Sequence, residues 1–296
     1  MRPYLRDLID AELPEITVLD VGAMHDGENC YDPLVEQGLA RLIGVEPDPA
    51  SRAKLREIAP HNTYLPYFLG DGGPARFHST RFPGCSSLLE PDPSVIDQFT
   101  SIGAGDPGGN FYVNFTTDVE TRRLDDIEEL PPIDFMKLDI QGGELDVLQH
   151  AGRVLSRVSV LQIEVEFVPL YVGQPLFSDI DIHLRGLGFH LHKFIDVSGR
   201  CFRPIELPNP FAPYSQLLWA DAIFVSNLLT PELRQDDELL KSALILNDLY
   251  ASHDLVLRLL EELDSRQGGG LGQAYLAGLQ RNQPLKGRFM NIKDYL

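Results

Sequence analysis

The chain has 296 residues, enough for one α/β domain with appendages or for two domains, and its 43% hydrophobic and 23% charged residues exclude a disordered, collagenous or coiled-coil chain. Against 25 Lys and Arg stand 44 Asp and Glu, a net charge of −19 that repels phosphate backbones and anionic headgroups and argues against nucleic-acid and membrane partners. Cys30, Cys85 and Cys201 are too scattered for a disulfide framework or a zinc site, and no signal-like or membrane-spanning apolar run occurs, so a cytoplasmic protein is expected.

Residues 1–14 carry Leu5, Leu8, Ile9 and Leu13 near helical spacing and end at Pro14, which predicts a short amphipathic helix on the outside of the domain. Apolar runs follow, each closing in a polar or glycine-rich turn. They are 16–21 before Gly22, 42–45 before Glu46 and Pro47, 64–69 before Gly70 and Asp71, 133–138 before Asp139, and 158–165 before Glu166. Helical spacing at 50–58, 144–151 and 178–187 separates several of them. This alternation predicts a doubly wound, mainly parallel sheet with helices on both faces. The runs 189–195 and 217–225 lack a helix-period segment between them and predict an antiparallel pair at the sheet edge. Residues 72–118, rich in Gly, Pro and Ser, read as a long excursion above the sheet, where substrate loops usually sit.

Past Asn227 the pattern changes. Thr230 and Pro231 form a helix-start signal. Leu239, Ala243, Leu246 and Tyr250, then Val256, Leu259, Leu260 and Leu263, predict a helical pair, followed by Gly268, Gly269 and Gly270 and a weakly patterned tail. The expected organisation is an N-terminal helix in 1–15, a sheet domain in 16–227 and a helical extension in 228–296. The extension reads as a packed cap, with homodimerisation through it as the alternative.

Three segments carry candidate chemistry. The strand ending Asp20-Val21 runs into Gly22 and Ala23, which let a ligand approach the backbone, and Gly27 is suited to the positive φ of a tight turn. Nineteen residues beyond Gly27 a second strand ends in Glu46, the spacing at which a carboxylate accepts from both hydroxyls of a ribose. The turn is not G-x-G-x-x-G, which argues against NAD or FAD; an ordinary turn with a solvated Glu is the plain alternative. In the second segment Asp139 falls at the carboxyl end of a strand, either facing a ligand or capping the next helix. In the third, alternation puts Gln162, Glu164 and Glu166 on one strand face. Converging with Asp139 there, Glu164 and Glu166 offer a general base, or a divalent-metal site through Asp139 and Glu166; the alternative is an edge strand with one wet face.

Taken together these segments resemble the FkbM-type methyltransferases. The resemblance rests on Val-Leu-Asp-Val-Gly-Ala at 18–23, Ile-Gly-Val-Glu-Pro-Asp-Pro at 43–49, Leu-Gly-Asp-Gly at 69–72 and Cys-Ser-Ser-Leu-Leu at 85–89. It continues through Thr-Arg-Arg-Leu-Asp-Asp at 121–126, Ile-Asp-Phe-Met-Lys-Leu-Asp-Ile-Gln-Gly-Gly-Glu at 133–144 and Glu-Val-Glu-Phe-Val-Pro-Leu-Tyr at 164–171. It implies a class I, Rossmann-like fold that binds S-adenosylmethionine and methylates a hydroxyl of a sugar, glycan or secondary metabolite. The implied cofactor residues are Asp20, Val21, Gly22, Ala23 and Gly27 at the first turn, Glu46 and Pro47 at the ribose, Gly70 and Asp71 near the adenine, and Asp139. Asp139, Glu164 and Glu166 are the catalytic candidates, with a metal-free site favoured. Two departures stand out: the family's first turn usually has one residue fewer and an Asn at the position of Met24, and Gln141 stands where the family usually has Glu. The contacts of Met24, His25 and Asp26 are therefore not carried over. A fold that keeps the cofactor and has lost catalysis is the rival reading that Gln141 raises.

Weaker signals read as structural. His190 and His192 lie on one face of a strand expected to be exposed, His183 borders an apolar helix row, and Asn209-Pro210-Phe211 is misplaced for the motif of amino-methylating DNA enzymes.

Overall fold

A computed structural model of the chain describes residues 5–9, 13–24, 27 and 29–282. Strand β1 (Ile16–Val21) is buried on both faces and lies third in a seven-stranded sheet, next to its central strand. The chain leaves it through a short helix α1 (Asp32–Glu36) to β2 (Ala40–Val45), which pairs with β1 in parallel. Helix α2 (Pro49–Ile58) starts at Asp48, whose carboxylate accepts from the Ser51 amide at 2.7 Å. The run 64–69 then splits around Pro66. β3 (Thr63–Leu65) stays beside β2, whereas β4 (Phe68–Leu69) leaves the main sheet.

The segment 72–118 is more ordered than its composition suggests. β5 (Pro74–Thr80) and β6 (Val113–Arg122) form an antiparallel ribbon that, with β4, makes a second sheet ordered β4-β6-β5. The loop between them carries a one-turn helix α3 (Pro93–Ile96). Most of β6 faces solvent, so its sequence lacks the apolar alternation that announces a strand.

The chain returns to the centre as β7 (Phe135–Leu138), parallel to β1, and continues through α4 (Glu144–Gln149) and α5 (Gly152–Leu155) to β8 (Val160–Glu166). Helix α6 (Phe177–Gly186) leads to β9 (Phe189–Gly199), and β10 (Leu217–Ser226) inserts antiparallel between β8 and β9. The order is β3-β2-β1-β7-β8-β10-β9. Strand order reverses between β1 and β7, so the crevice outside their carboxyl ends is the natural ligand site.

Two cores sandwich the sheet. Leu19, Val21, Met136, Leu161 and Ile163 pack with Val147 and Leu148 of α4 and Leu184 of α6 on one face. On the other, Ile16, Val18, Phe135, Val160, Ile223 and Val225 pack against three C-terminal helices, α7 (Asp236–Asp248), α8 (His253–Gln267) and α9 (Leu271–Asn282). Leu239, Val256, Leu260 and Tyr275 are fully buried there, each contributing roughly 1.5–3 kcal/mol of burial. Among the described residues no helix is long and apolar enough to cross a membrane.

Several expectations are corrected. In place of an amphipathic N-terminal helix there is a 3₁₀ turn, Leu5–Leu8, that buries Leu5; residues 1–4 and 10–12 of that expectation lie outside the described residues. Thr230-Pro231 opens only the 3₁₀ turn Pro231–Leu233, and α7 begins at Asp236, where the Gln235 amide donates to Glu238 Oε2 at 3.1 Å. Among the described residues the helical pair is a trio. Gly268, at φ 71°, ends α8 in the left-handed conformation, and α9 starts at Leu271 in the supposed weakly patterned tail, whose residues 283–296 lie outside the described residues. His190 and His192 are half-buried rather than exposed, and His192 Nε2 lies 2.8 Å from Ser252 Oγ.

Candidate active site

Gly22 closes β1 at φ 90°, and its amide and that of Ala23 both lie 3.1 Å from the Val45 carbonyl that accepts from them. A Cβ at Gly22 would stand 2.0 Å from the Asp139 carbonyl oxygen, so glycine is what allows the first turn to meet the end of β7. Ala23 is buried against Gly44. Gly22 is the residue of this turn seen in the left-handed region; His25, Asp26 and Glu28, on either side of Gly27, lie outside the described residues.

At the end of β2, Glu46 is nearly buried, and burial pushes its carboxyl up to about 7. Its Oε1 accepts from the Asp48 amide at 2.6 Å, across Pro47, and among the described residues nothing donates to Oε2. A carboxylate oxygen kept free at this edge fits a ribose diol. Gly70 follows β4, packed against Asp146 and Thr121. Asp71 is exposed, its carboxylate accepting from the Gly73 amide at 2.8 Å.

The densest polar cluster joins the ends of β1, β7 and β8. Asp20, on the face of β1 opposite Val21, accepts from the Tyr31 hydroxyl at 2.6 Å. Lys137 Nζ lies 3.9 Å from Asp20 Oδ1 and 3.2 Å from Asp139 Oδ2. Burial works against the Lys137 charge, yet the Asp20 and Asp139 carboxylates raise its pKa above the ordinary lysine value. Burial likewise opposes ionisation of Asp139, but Lys137 and a hydrogen bond from Gln141 hold its carboxyl below the usual aspartate range. The Asp139 side chain is about a third exposed. It caps no helix; α4 begins after Gly143, and Glu144 is instead the buried clamp of the turn, accepting from the Ile140 and Gly142 amides at 2.9 and 2.8 Å.

Gln141, in the left-handed region at φ 62°, ties this turn to β8. Its Nε2 donates to Asp139 Oδ1 at 3.2 Å and to Glu164 Oε2 at 2.5 Å, while its Oε1 lies 3.0 Å from the Tyr171 hydroxyl. Burial, reinforced by the Asp139 charge, drives Glu164 well above the usual carboxylate range. Glu166 is raised as well, by burial and then by Glu144 and Asp139, against the lowering effect of the neighbouring Gln174 amide. Gln162 faces the same side but is absorbed by structure, bonded to Asp221 at 2.8 Å and Tyr250 at 2.7 Å.

Gln141, Glu164 and Glu166 line one cavity of about 210 Å³, walled by Phe82, Cys85, Asn110 and Phe111 from the 72–118 segment and by Leu170, Arg200 and Trp219. The structure thus brings Asp139, Glu164 and Glu166 together, with Asp20, Gly22 and Ala23 beside them and Glu46 at the neighbouring strand end. Among the described residues no group of three or more His, Cys, Asp or Glu is arranged to hold a metal ion. Sequence reasoning missed Lys137, Tyr171 and Arg200. Lys137 precedes Asp139 by two on a strand, so period-two alternation alone puts both on one face.

Residues 20–191 match the methyltransferase FkbM domain. The 2-O-methyltransferase NoeI of Sinorhizobium fredii is 29% identical over 181 residues, which is 58% of this chain and 72% of that protein. Among solved structures, a TehB-like SAM-dependent methyltransferase from Corynebacterium glutamicum aligns at 13% identity and TM-score 0.34, covering 75% of this chain and 87% of its own. A SAM dependent methyltransferase from Aquifex aeolicus aligns at 10% identity and TM-score 0.28, over the same shares of 75% and 87%. By the family match, which spans more than half of its length, the chain belongs to the FkbM methyltransferase domain family and is an S-adenosylmethionine-dependent methyltransferase.

Proposed function

We propose that the protein methylates a hydroxyl oxygen of a sugar, glycan or small metabolite, with Asp139 as the base. One observation carries this reading: Lys137, 3.2 Å from Asp139, holds that carboxyl below the usual aspartate range, while burial raises Glu164, joined to it through Gln141, and Glu166 well above theirs. Carboxyl groups whose environments push their pKa values apart are the usual mark of divided acid and base roles.

S-adenosylmethionine, when bound, supplies an activated methyl group on sulfur. The protein's residues must then hold the acceptor oxygen in line and take its proton. Asp20, Val21, Gly22, Ala23 and Gly27 border the amino-acid end of the cofactor. Glu46, with Pro47 fixing its turn, accepts from the ribose hydroxyls, and Gly70 and Asp71 lie toward the adenine. Asp139 accepts the acceptor's proton. Glu164 fixes Asp139 through Gln141, and Glu166, beside the Gln174 amide, faces the incoming hydroxyl. Gln141 in place of Glu serves this arrangement, because its amide donates to both carboxyl groups. The name of the S. fredii relative supports oxygen as the acceptor atom. Three free cysteines fit a cytoplasmic setting.

Two measurements test the reading. S-adenosylhomocysteine titrated into the protein should bind saturably, and labelled methyl groups should appear as O-methyl signals when sugars and hydroxylated metabolites are offered. Absence of binding, or methyl transfer to nitrogen or carbon only, overturns it.

A further inference from the structure

Arg200 follows directly on β9 and reaches back over the site. Its guanidinium lies 4.8 Å from the ring of Trp219 and 5.5 Å from that of Phe211, held by two aromatic faces. Nη1 donates to the Gly199 and Phe211 carbonyls at 2.6 and 3.3 Å. Nε is buried with no partner, and among the described residues Nη2 has none either. Among the described residues no carboxylate pairs with it, in a chain where 44 acidic residues face 25 basic ones. Burial lowers its pKa.

The position of this cation matters as much as its lack of a partner. Trp219 stands directly opposite Glu166 in the β10–β8 register, and Arg200, Trp219, Glu166, Glu164 and Gln141 line the same cavity. Nε has no surface open to a water-sized oxygen, so a charge-assisted hydrogen bond to a carboxylate or phosphate oxygen falls to Nη2. Burial, which raises Glu164 and Glu166 well above the usual carboxylate range, weakens their repulsion of an anion there. About 210 Å³ holds an acceptor portion the size of one sugar ring, spanning from Arg200 to the carboxyl cluster.

We propose that Arg200 is a specificity-determining residue, and that the methyl acceptor carries an oxyanion, carboxylate or phosphate ester, one ring away from the hydroxyl that is methylated. This rests on the hydroxyl-methylation reading above. It explains why the arginine is held by aromatic rings and backbone carbonyls but left without a counter-ion: the acceptor supplies one.

The test uses the full chain saturated with S-adenosylhomocysteine. Glucuronate, glucose 1-phosphate, 4-hydroxybenzoate, glucose and 4-hydroxybenzamide are titrated in turn by calorimetry. At least one anion should bind ten times or more tighter than its neutral counterpart, and which anion does so separates carboxylate from phosphate recognition. Arg200→Gln should erase that preference with S-adenosylhomocysteine affinity unchanged, and Arg200→Lys should keep part of it. A wild type that binds no anion better than its neutral counterpart overturns the proposal, whatever the variants do. So does an Arg200→Gln protein that keeps the preference. Failure of the wild type to bind S-adenosylhomocysteine is a different result, overturning the methyltransfer reading and this inference with it.

Discussion

The Tyr250 hydroxyl donates to Gln162 Oε1 at 2.7 Å, joining the turn between α7 and α8 to the strand that carries Glu164 and Glu166. Gln162 is nearly buried and its amide nitrogen is engaged with Asp221. Tyr250→Phe therefore leaves a buried acceptor unpaired, which costs roughly 1–3 kcal/mol. Urea unfolding of this variant should show that loss; wild-type stability would mean the contact contributes nothing.

Glu46 gives a pH dependence with a definite sign. Burial sets its pKa in the free protein at about 7, whereas hydrogen bonds from ribose favour the ionised form. Below that pH, binding must expel a proton, so affinity for S-adenosylhomocysteine should fall about tenfold per unit as pH drops from 7 toward the pKa of the complex. Glu46→Gln should flatten this slope and weaken binding by about 1.5–3 kcal/mol at pH 8. Calorimetry across pH 5.5–8 decides it; a flat wild-type profile would remove Glu46 from the ribose site.

The three carboxyl groups should respond unequally to amide substitution. Asp139→Asn removes an ionised base and should lower turnover by ~10²–10⁴-fold. Glu164→Gln replaces a carboxyl that burial already biases toward its neutral form and should cost less than about tenfold on the same scale. Glu166→Gln keeps a hydrogen-bonding oxygen and should act mainly on KM. Each is measured with and without a chelator. Chelator-sensitive turnover would reassign Asp139 and Glu166 to a metal, and three wild-type rates would make the cluster structural.

Lys137→Met strips Asp20 and Asp139 of their shared cation, a change that costs about 3–5 kcal/mol when a buried charge loses its partner. The Asp139 pKa is depressed in the folded protein, so its share of that stability is complete above the ordinary aspartate pKa and disappears as pH falls through the folded value. The stability gap between wild type and variant, followed by denaturant titration, should accordingly narrow in acid. A gap that widens would contradict the assignment.

The main sheet was legible because its strands are apolar runs that stop at a turn or a carboxylate: Val21 before Gly22, Val45 before Glu46, Leu138 before Asp139. Period and punctuation agree at each. β6 was not legible, because a ribbon strand with most residues in solvent has no buried face to impose alternation. α9 was hidden behind Gly268, Gly269 and Gly270, which end one helix without forbidding the next. In the site, Asp139 and Glu164 declared themselves as charges in apolar surroundings. Arg200 did not. Its meaning lies in a stack with Phe211 and Trp219, 11 and 19 positions away, which exists only once β9 and β10 have paired.

The placement of α7, α8 and α9 sets an order of events during synthesis. Ile16 and Val18 leave the ribosome early, but their cover includes Leu239, Val256 and Tyr275, more than 220 positions later. Until those residues emerge, that side of the growing sheet has only Leu5, Tyr31, Leu34 and their neighbours as cover, though β1, β2 and β7 can already pair. Contacts this distant in sequence are slow to form, and an uncovered sheet invites association with other nascent chains. The last helices thus act as the closing step of folding, and the time their translation takes is the interval in which this protein most needs a chaperone.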